Sequence, residues 1–461
     1  MASIAVVGGG VAGLVCAWRL RRAGHDVEVL EREAEPGGRM RSERVRTARG
    51  EFVVDRGAQF VASGYRNMRL VEAALGIAGR RHAITPAHNA ILRGGHLHAG
   101  DYASPGVFLR SRLLSARAKL RLPRLLLELV RAGRRLDPYH PERAAPLDRE
   151  DLASWLHRVA GDEAGEFLLA PAFSSTFDAD PEQLSGAFAL LTLRFVLAGF
   201  RVEAFEGGTG LLTRTLAEQV PVRVGSEVTA VETTDDGARV TYRSRRDGRE
   251  QRVLADAAVV ALPGTLVPAA CATLTPAEKA FFAQVRYGRG IICFLMTDRA
   301  PASLPGYGVA FPRSEGIGLY GLAVDHHKRG VAPAGAGLVN AALTAEAATR
   351  LWDAPDAAVV GHVVDALART PIGRLAPIAS VVHRWDPMLP QFHAGYLRHL
   401  ASFQARRERS PRLAFAGDYL LGPYTEMAVT SGMRAATEIG RGLRAVSRRS
   451  GGRHGNGGIR S

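Results

Sequence analysis

The run Ser3-Ile-Ala-Val-Val-Gly-Gly-Gly-Val-Ala-Gly-Leu-Val-Cys-Ala-Trp-Arg-Leu20 constrains this chain more than any other stretch, because it sets a strand, a tight turn and a helix end to end. Ile4 to Val7 is unbroken apolar, as in strands covered on both faces of a parallel sheet. Gly8, Gly10 and Gly13 follow in G-x-G-x-x-G spacing. Gly8 allows the reversal and Gly10 lets the backbone approach a pyrophosphate. Gly13 lets the helix lie against the strand with its N-terminal amides toward the anion. A second apolar strand, Val27 to Leu30, ends at Glu31, 18 residues beyond Gly13, where a carboxylate can hydrogen-bond the ribose of an adenosine. The order strand, turn, helix, strand, acid predicts a dinucleotide-binding α/β unit at the N-terminus; a glycine-rich turn with no ligand is the alternative.

Glu31-Arg-Glu-Ala-Glu-Pro-Gly-Gly-Arg-Met-Arg-Ser42 comes directly after that second strand. It resembles the E-x-x-x-x-x-G-G-R segment of the flavin amine oxidase superfamily, which includes monoamine oxidases, protoporphyrinogen oxidases and phytoene desaturases. The resemblance implies FAD as the cofactor, with Gly37, Gly38 and Arg39 running along the pyrophosphate and the edge of the flavin ring. Glu51 to Phe60 alternates like a strand, and its Gly57-Ala58-Gln59 resembles the D-x-G-A-Q segment that lies beside the flavin in the same superfamily. Phe60 closes this stretch and is a candidate for the substrate wall.

Further resemblances recur toward the C-terminus. Gly207 to Leu216 is similar to the superfamily's G-G-x-x-x-L helix, and Val228 stands where a V-x-x-V strand contacts adenine. His383 to Tyr396 resembles the R-W-x-x-x-x-P-Q stretch of protoporphyrinogen oxidases. Arg412-Leu-Ala-Phe-Ala-Gly417-Asp418 reads as an apolar strand whose Asp418 would bond the ribityl chain or pyrophosphate. Tyr424 to Gly432 opens a last helix that would point its N-terminus, with Met427 and Ala428, at the ring, where the dipole favours negative charge. Tyr424 falls where monoamine oxidases place an aromatic wall beside the flavin.

One departure divides the branches of the superfamily. Phe282 to Phe294 resembles a strand that carries a lysine near flavin N5 in amine oxidases, and Gly290 or Ile291 stands there instead. The chain's only lysines are Lys119, Lys279 and Lys328. The expected fold is α/β: a Rossmann-type FAD-binding domain with a mixed sheet, discontinuous in sequence (residues 1–83, 201–264 and 383–445), and an inserted α+β substrate-binding domain (84–200 and 265–382). The expected activity is hydride removal from a C–H or C–N centre of a small-molecule substrate, with O2 as acceptor, in the manner of the protoporphyrinogen oxidase and desaturase branches. An amine or amino-acid oxidase is the second reading and a non-catalytic FAD-binding scaffold the third.

Composition bears on compartment and partners. With 46% hydrophobic residues over 461, the chain can bury a large core. Cys16, Cys271 and Cys293 lie far apart in apolar contexts and read as core thiols of a reducing compartment. No metal site is expected, since His96 and His98 lack a further ligand at suitable spacing and His326-His327 reads the same way. No run of 18 apolar residues occurs and the first strand starts at once, which predicts a cytoplasmic protein. The net charge of +15 is concentrated: Arg110 to Arg135 carries a net of +8, and Arg441 to Ser461 holds six arginines and no acid. Residues 446–461 read as a disordered basic tail. Between the arginines of the internal segment, Leu113, Leu114, Leu120, Leu122, Leu125, Leu126, Leu129 and Val130 recur at helical spacing. That pattern fits either a helical subdomain with a solvated basic face or, over residues 107–136, peripheral contact with anionic membrane. Nucleic-acid binding is not expected, because no aromatics interleave with the basic run.

Overall fold

The structure, a computed structural model, describes residues 1–453 apart from Ala103 and Ala198. Two sheets organise it. The first has five strands in the order Val222–Arg223, Asp26–Leu30, Ser3–Val7, Ala257–Val260, Leu413–Phe415, and every pairing is parallel. Ile4 to Val7 and Ala257 to Val260 are fully buried because helices and loops cover both faces, which explains why neither strand alternates. The helix Val11–Arg22 follows the glycine turn, with Gly8 at φ 103°. A Cβ on Gly13 would stand 2.0 Å from the Gly8 carbonyl oxygen, so this helix reaches its strand only through glycine.

The second sheet has seven strands in the order Pro377–Trp385, Gly290–Thr297, Gly337–Leu343, Leu319–Val324, Gly308–Ala310, Asn89–Arg93, His96–Gly100. It is mixed, since Gly308–Ala310 pairs parallel with Asn89–Arg93 and the other pairings are antiparallel. The chain thus has one parallel and one mixed sheet, within the α/β class expected. The connections differ accordingly: three of the six pairings in the second sheet join strands consecutive in sequence and turn back on themselves, whereas each neighbour in the first is reached by a crossover. Its last two strands come from the first substrate segment, so both segments build one unit. One face of this sheet carries Ile291, Cys293 and Leu295 against Val359, Val363 and Leu367 of the helix Asp356–Ala368. The other turns Ile292, Phe294 and Met296 toward Phe52, Val54 and Met388. The cysteines Cys16, Cys271 and Cys293 are all free and buried.

The basic segment forms three short helices, Pro105–Arg110, Ala116–Lys119 and Pro123–Ala132, broken where Ser111 to Ser115 and Pro123 interrupt the pattern. The final helix runs Thr425–Arg453, continuing through residues 446–453 that read as tail; the remainder, 454–461, lies outside the described residues. No described helix is long and apolar enough to cross a membrane.

The final helix packs on the glycine-turn helix through Gly432, where a Cβ would stand 2.2 Å from the Ala12 carbonyl oxygen. Backbone cannot yield there as a side-chain tip can. Gly432→Ala is expected to destabilise the protein by about 1–3 kcal/mol, read as a lowered denaturation midpoint together with weaker flavin retention. An unchanged midpoint would show that the two helices do not pack this closely.

Candidate active site

One cavity of about 1790 Å³ runs from the glycine turn to the face of the seven-stranded sheet. Ordinary small-molecule sites occupy ~300–1,000 Å³, so this one has room for a large cofactor and a sizeable substrate together. Gly8, Gly10, Glu31, Gly37, Gly38, Arg39, Gly57, Ala58, Gln59, Val228, Gly417, Asp418 and Ala428 line it, as do Phe60 and Tyr424. Gly13 does not line it; its place is the helix–strand contact. Met427 does not line it either. That side chain is 2% exposed and packs into the core, because the start of the final helix turns Thr425 and Ala428 toward the cavity and Met427 away.

The residues present fit an FAD. A Cβ on Gly10 would meet nothing within 4 Å, which leaves open space for a pyrophosphate against the backbone. The helix that starts after Gly10 has no side-chain cap and no acid in its first turn, so its N-terminal amides are available to an anion. Glu31 is held in place by two backbone donors: Gly9 N–H at 2.7 Å to Oε2 and Glu33 N–H at 2.8 Å to Oε1. Asp418 is buried, with Oδ2 2.8 Å from Arg39 Nη1 and Oδ1 accepting from the Tyr287 hydroxyl at 3.1 Å. Arg39 also donates to the Met388 carbonyl and lies over the Tyr287 ring, 5.7 Å from its centroid. Asp418 is thus committed to the protein as well as to the cavity wall. Gln59 donates through Nε2 to the Asp55 and Gly57 carbonyls, and its Oε1 accepts from Asn340 Nδ2 at 3.1 Å, so its amide fixes the loop.

Opposite the cofactor wall the cavity is apolar and aromatic. Tyr424 packs edge-on to Phe177 at 5.5 Å and lies tilted near Phe188 and Phe195, each at 6.2 Å. Its hydroxyl shares a 2.6 Å hydrogen bond with Thr192 Oγ1, and burial pushes its pKa far above the ordinary value. Phe60 meets Phe200 and Tyr307 in edge-to-face contacts of 6.2 and 6.5 Å. Of the strand that replaces the amine oxidase lysine strand, Ile292 lines the cavity; Gly290 and Ile291, the positions taken from the sequence, do not. The register explains this: Ile291 faces the helix Asp356–Ala368, and Met388 fills the space beside Gly290. Lys328 lies nearby but is closed off, 1% exposed, with Nζ 2.6 Å from Asp325 and 3.3 Å from Asp55. Burial alone would lower its pKa, yet Asp325, Tyr307 and Asp55 outweigh this and raise it. Sequence reasoning missed Thr192, Asn340 and Asp178, all on the cavity wall. No motif marks the first two, and Asp178 showed itself only in its conformation.

The Thr192 contact gives Tyr424 a defined behaviour. Tyr424→Phe loses one hydrogen bond, about 0.5–1.5 kcal/mol of stability, and is expected to keep most of kcat. Tyr424→Ala removes a ring from an aromatic cluster, which costs about 3–5 kcal/mol and opens the cavity. Single-turnover flavin reduction compares them, and equal damage in both variants would give the hydroxyl a chemical role.

Comparison with known proteins agrees with this geometry. The family model described as flavin containing amine oxidoreductase matches residues 11–440. Coproporphyrinogen III oxidase of Mycobacterium tuberculosis is 26% identical over 477 aligned residues, which cover 95% of this chain and 97% of that protein. A Mycobacterium tuberculosis protein provisionally named flavin-containing monoamine oxidase AofH is 27% identical over 273 residues, and there the match spans 56% of this chain and only 56% of the relative. Among solved structures, putrescine oxidase bound to putrescine superposes with a TM-score of 0.77 at 19% identity, covering 95% of this chain and 99% of that one. At that identity the likeness concerns the fold. The match to the family model over nearly the whole length decides the assignment: the chain belongs to the flavin containing amine oxidoreductases, a family of FAD-dependent enzymes.

Proposed function

We propose that this protein is an FAD-dependent oxidase or desaturase that takes a hydride from a C–H centre of a bulky, largely apolar substrate, with molecular oxygen as the final electron acceptor. The observation that carries this reading is the single cavity, wide enough for cofactor and large substrate together and walled on its far side by Phe60, Phe173, Phe177, Phe195 and Tyr424. When bound, the flavin supplies the two-electron redox step itself. The protein's part is to orient the substrate and exclude water. Ile292 and the small residues Gly321, Ala323 and Ala342 make the sheet face flat and apolar, and Tyr424, anchored by Thr192, closes the side. In the cofactor half, Gly8, Gly10, Glu31, Gly37, Gly38, Arg39, Gly57, Ala58, Gln59, Val228, Gly417, Asp418 and Ala428 hold the FAD. The full-length similarity to a coproporphyrinogen oxidase supports a porphyrinogen-class substrate. An amine oxidase is the second reading, favoured by the fold of putrescine oxidase and opposed by Ile292 at the lysine strand.

Anaerobic titration tests this. Coproporphyrinogen, protoporphyrinogen, a polyene carotenoid precursor and a panel of amines are added in turn to the flavin-loaded protein, whose heat-released cofactor should run as FAD. Bleaching of the flavin band is expected with a porphyrinogen or the polyene. Bleaching with amines alone would put the second reading in its place, and no bleaching at all would leave a scaffold.

We also propose that the basic segment rests on an anionic membrane beside the cavity. Val107, Leu109, Leu120, Leu126, Leu127 and Val130 are exposed, whereas Leu113 and Leu114 are buried and Leu122, Leu125 and Leu129 are part-buried against the core. The exposed side chains stand among arginines with Glu128 as the segment's one acid, which matches a negative surface. Tyr102 and Leu125 line the cavity, so the patch adjoins its wall. Co-sedimentation with phosphatidylglycerol vesicles at low salt is expected, with release at about 0.5 M salt as charges are screened over a few Å. Equal recovery with neutral and anionic vesicles would refute it.

A further inference from the structure

Asp178 combines two unfavourable features at one point of the cavity wall. It follows the helix Ala170–Phe177 with φ 48° and ψ 46°, and every other positive-φ residue described in the chain is a glycine. L-residues seldom hold that left-handed conformation, aspartate less seldom than most, and it carries a strain that glycine would not. Its Oδ1 is also buried with no hydrogen-bond partner. The contrast with Asp180, two residues on, is informative, because that carboxylate accepts from the Tyr320 hydroxyl at 2.9 Å. Burial, with no offsetting cation, pushes the Asp178 carboxyl up to about 7.

The position is central. Asp178 lines the cavity next to Phe177, whose ring packs on Tyr424. Its carbonyl oxygen is 3.7 Å from where a Cβ of Gly288 would stand, and Gly288 follows the Tyr287 that binds Asp418. Asp178 therefore sits between the aromatic wall and the Arg39–Asp418–Tyr287 cluster. A buried carboxyl oxygen without a partner is unfavourable until a donor reaches it, and the cavity is the side from which a bound molecule can bring one. An aliphatic chain offers none, and a carboxylate would repel it.

We propose that Asp178 is the cavity's acceptor for a substrate N–H group, so that the substrate is a nitrogen-bearing molecule whose N–H faces the wall formed by Phe177, Asp178 and Tyr424. This rests on reading the cavity as the substrate site. The shared chemistry is an N–H donor, supplied either by the pyrroles of a porphyrinogen-type macrocycle or by the ammonium of an amine; a hydrocarbon polyene has neither. Asp178 acts here as a specificity-determining residue.

The test uses the oxidised, FAD-loaded protein and reads binding from perturbation of the flavin spectrum, so it does not depend on turnover. The probes are coproporphyrin, decylamine and, as a control with neither an N–H nor an O–H, decyl methyl ether. Asp178→Gly removes the acceptor and suits the left-handed backbone. It is expected to raise the thermal midpoint by about 1–2 °C, to weaken at least one N–H probe by roughly tenfold or more, and to leave the ether unchanged. Asp178→Asn distinguishes the two sources. Its amide oxygen still accepts from a neutral pyrrole, so coproporphyrin affinity stays, whereas decylamine affinity falls as far as with glycine if the ammonium is the partner. The proposal is overturned if both variants bind both N–H probes as the parent does, if the ether weakens in parallel, or if the parent binds neither N–H probe. Failure of the bleaching experiment would leave these affinities standing and so concerns the reaction alone.

Discussion

The ion pair between Arg39 and Asp418 holds together what the chain order separates. Arg39 belongs to the loop after the second strand, Asp418 follows the last strand of the parallel sheet, and their charged atoms lie 2.8 Å apart. Tyr287 brings in a third segment through its hydroxyl, and the Met388 carbonyl a fourth. With Asp418 almost fully buried, loss of the arginine would leave a carboxylate without its partner in low dielectric, a situation that costs about 3–5 kcal/mol. The cofactor wall depends on this closure. Gly37, Gly38 and Arg39 on one side and Gly417 and Asp418 on the other face each other only because the pair fixes their separation.

A second buried group joins the two halves of the molecule. Lys328 reaches Asp55, whose Oδ1 also accepts from Ser42 Oγ at 2.6 Å and Thr209 N–H at 2.8 Å, and it reaches Asp325, which takes Asn340 Nδ2 at 2.7 Å. Asn340 in turn holds Gln59. Asp55 lies in the nucleotide-binding half, and Lys328, Asp325 and Asn340 lie in the substrate half. An ammonium between two carboxylates is satisfied in one arrangement of the halves and deprived of a partner in others. The segments on the two sides of the cavity are thus tied to each other through one buried network.

How much of this could be read from residues alone follows from the range of the interactions. The glycine turn, its strands and Glu31 form a local unit of about thirty residues, so their pattern carries the geometry within it. Met427 was harder, since which side of a helix faces a cavity depends on the packing of its neighbours; the helix start is legible, its rotation is not. The same holds for Ile292, where one residue of register turns a side chain from the cavity to the opposite face. The α/β class is legible from the alternation of strands and helices, whereas the order of the strands is not, because most neighbours in the parallel sheet lie hundreds of residues apart. Asp178 was invisible for another reason: an acid after a helix is an ordinary sequence, and only the left-handed backbone and the unpartnered oxygen set it apart.

The parallel sheet also places a demand on time. Ser3–Val7 lies at its centre, flanked by Asp26–Leu30 on one side and by Ala257–Val260 on the other, with Leu413–Phe415 at the edge beyond. In order of synthesis the phosphate turn therefore precedes the wall that faces it by some four hundred residues. Until then one edge of an apolar strand is without its neighbour, and the turn has no opposite bank. A bound cofactor is enclosed only when both banks are in place, and an apolar strand edge left open before then invites pairing with other chains.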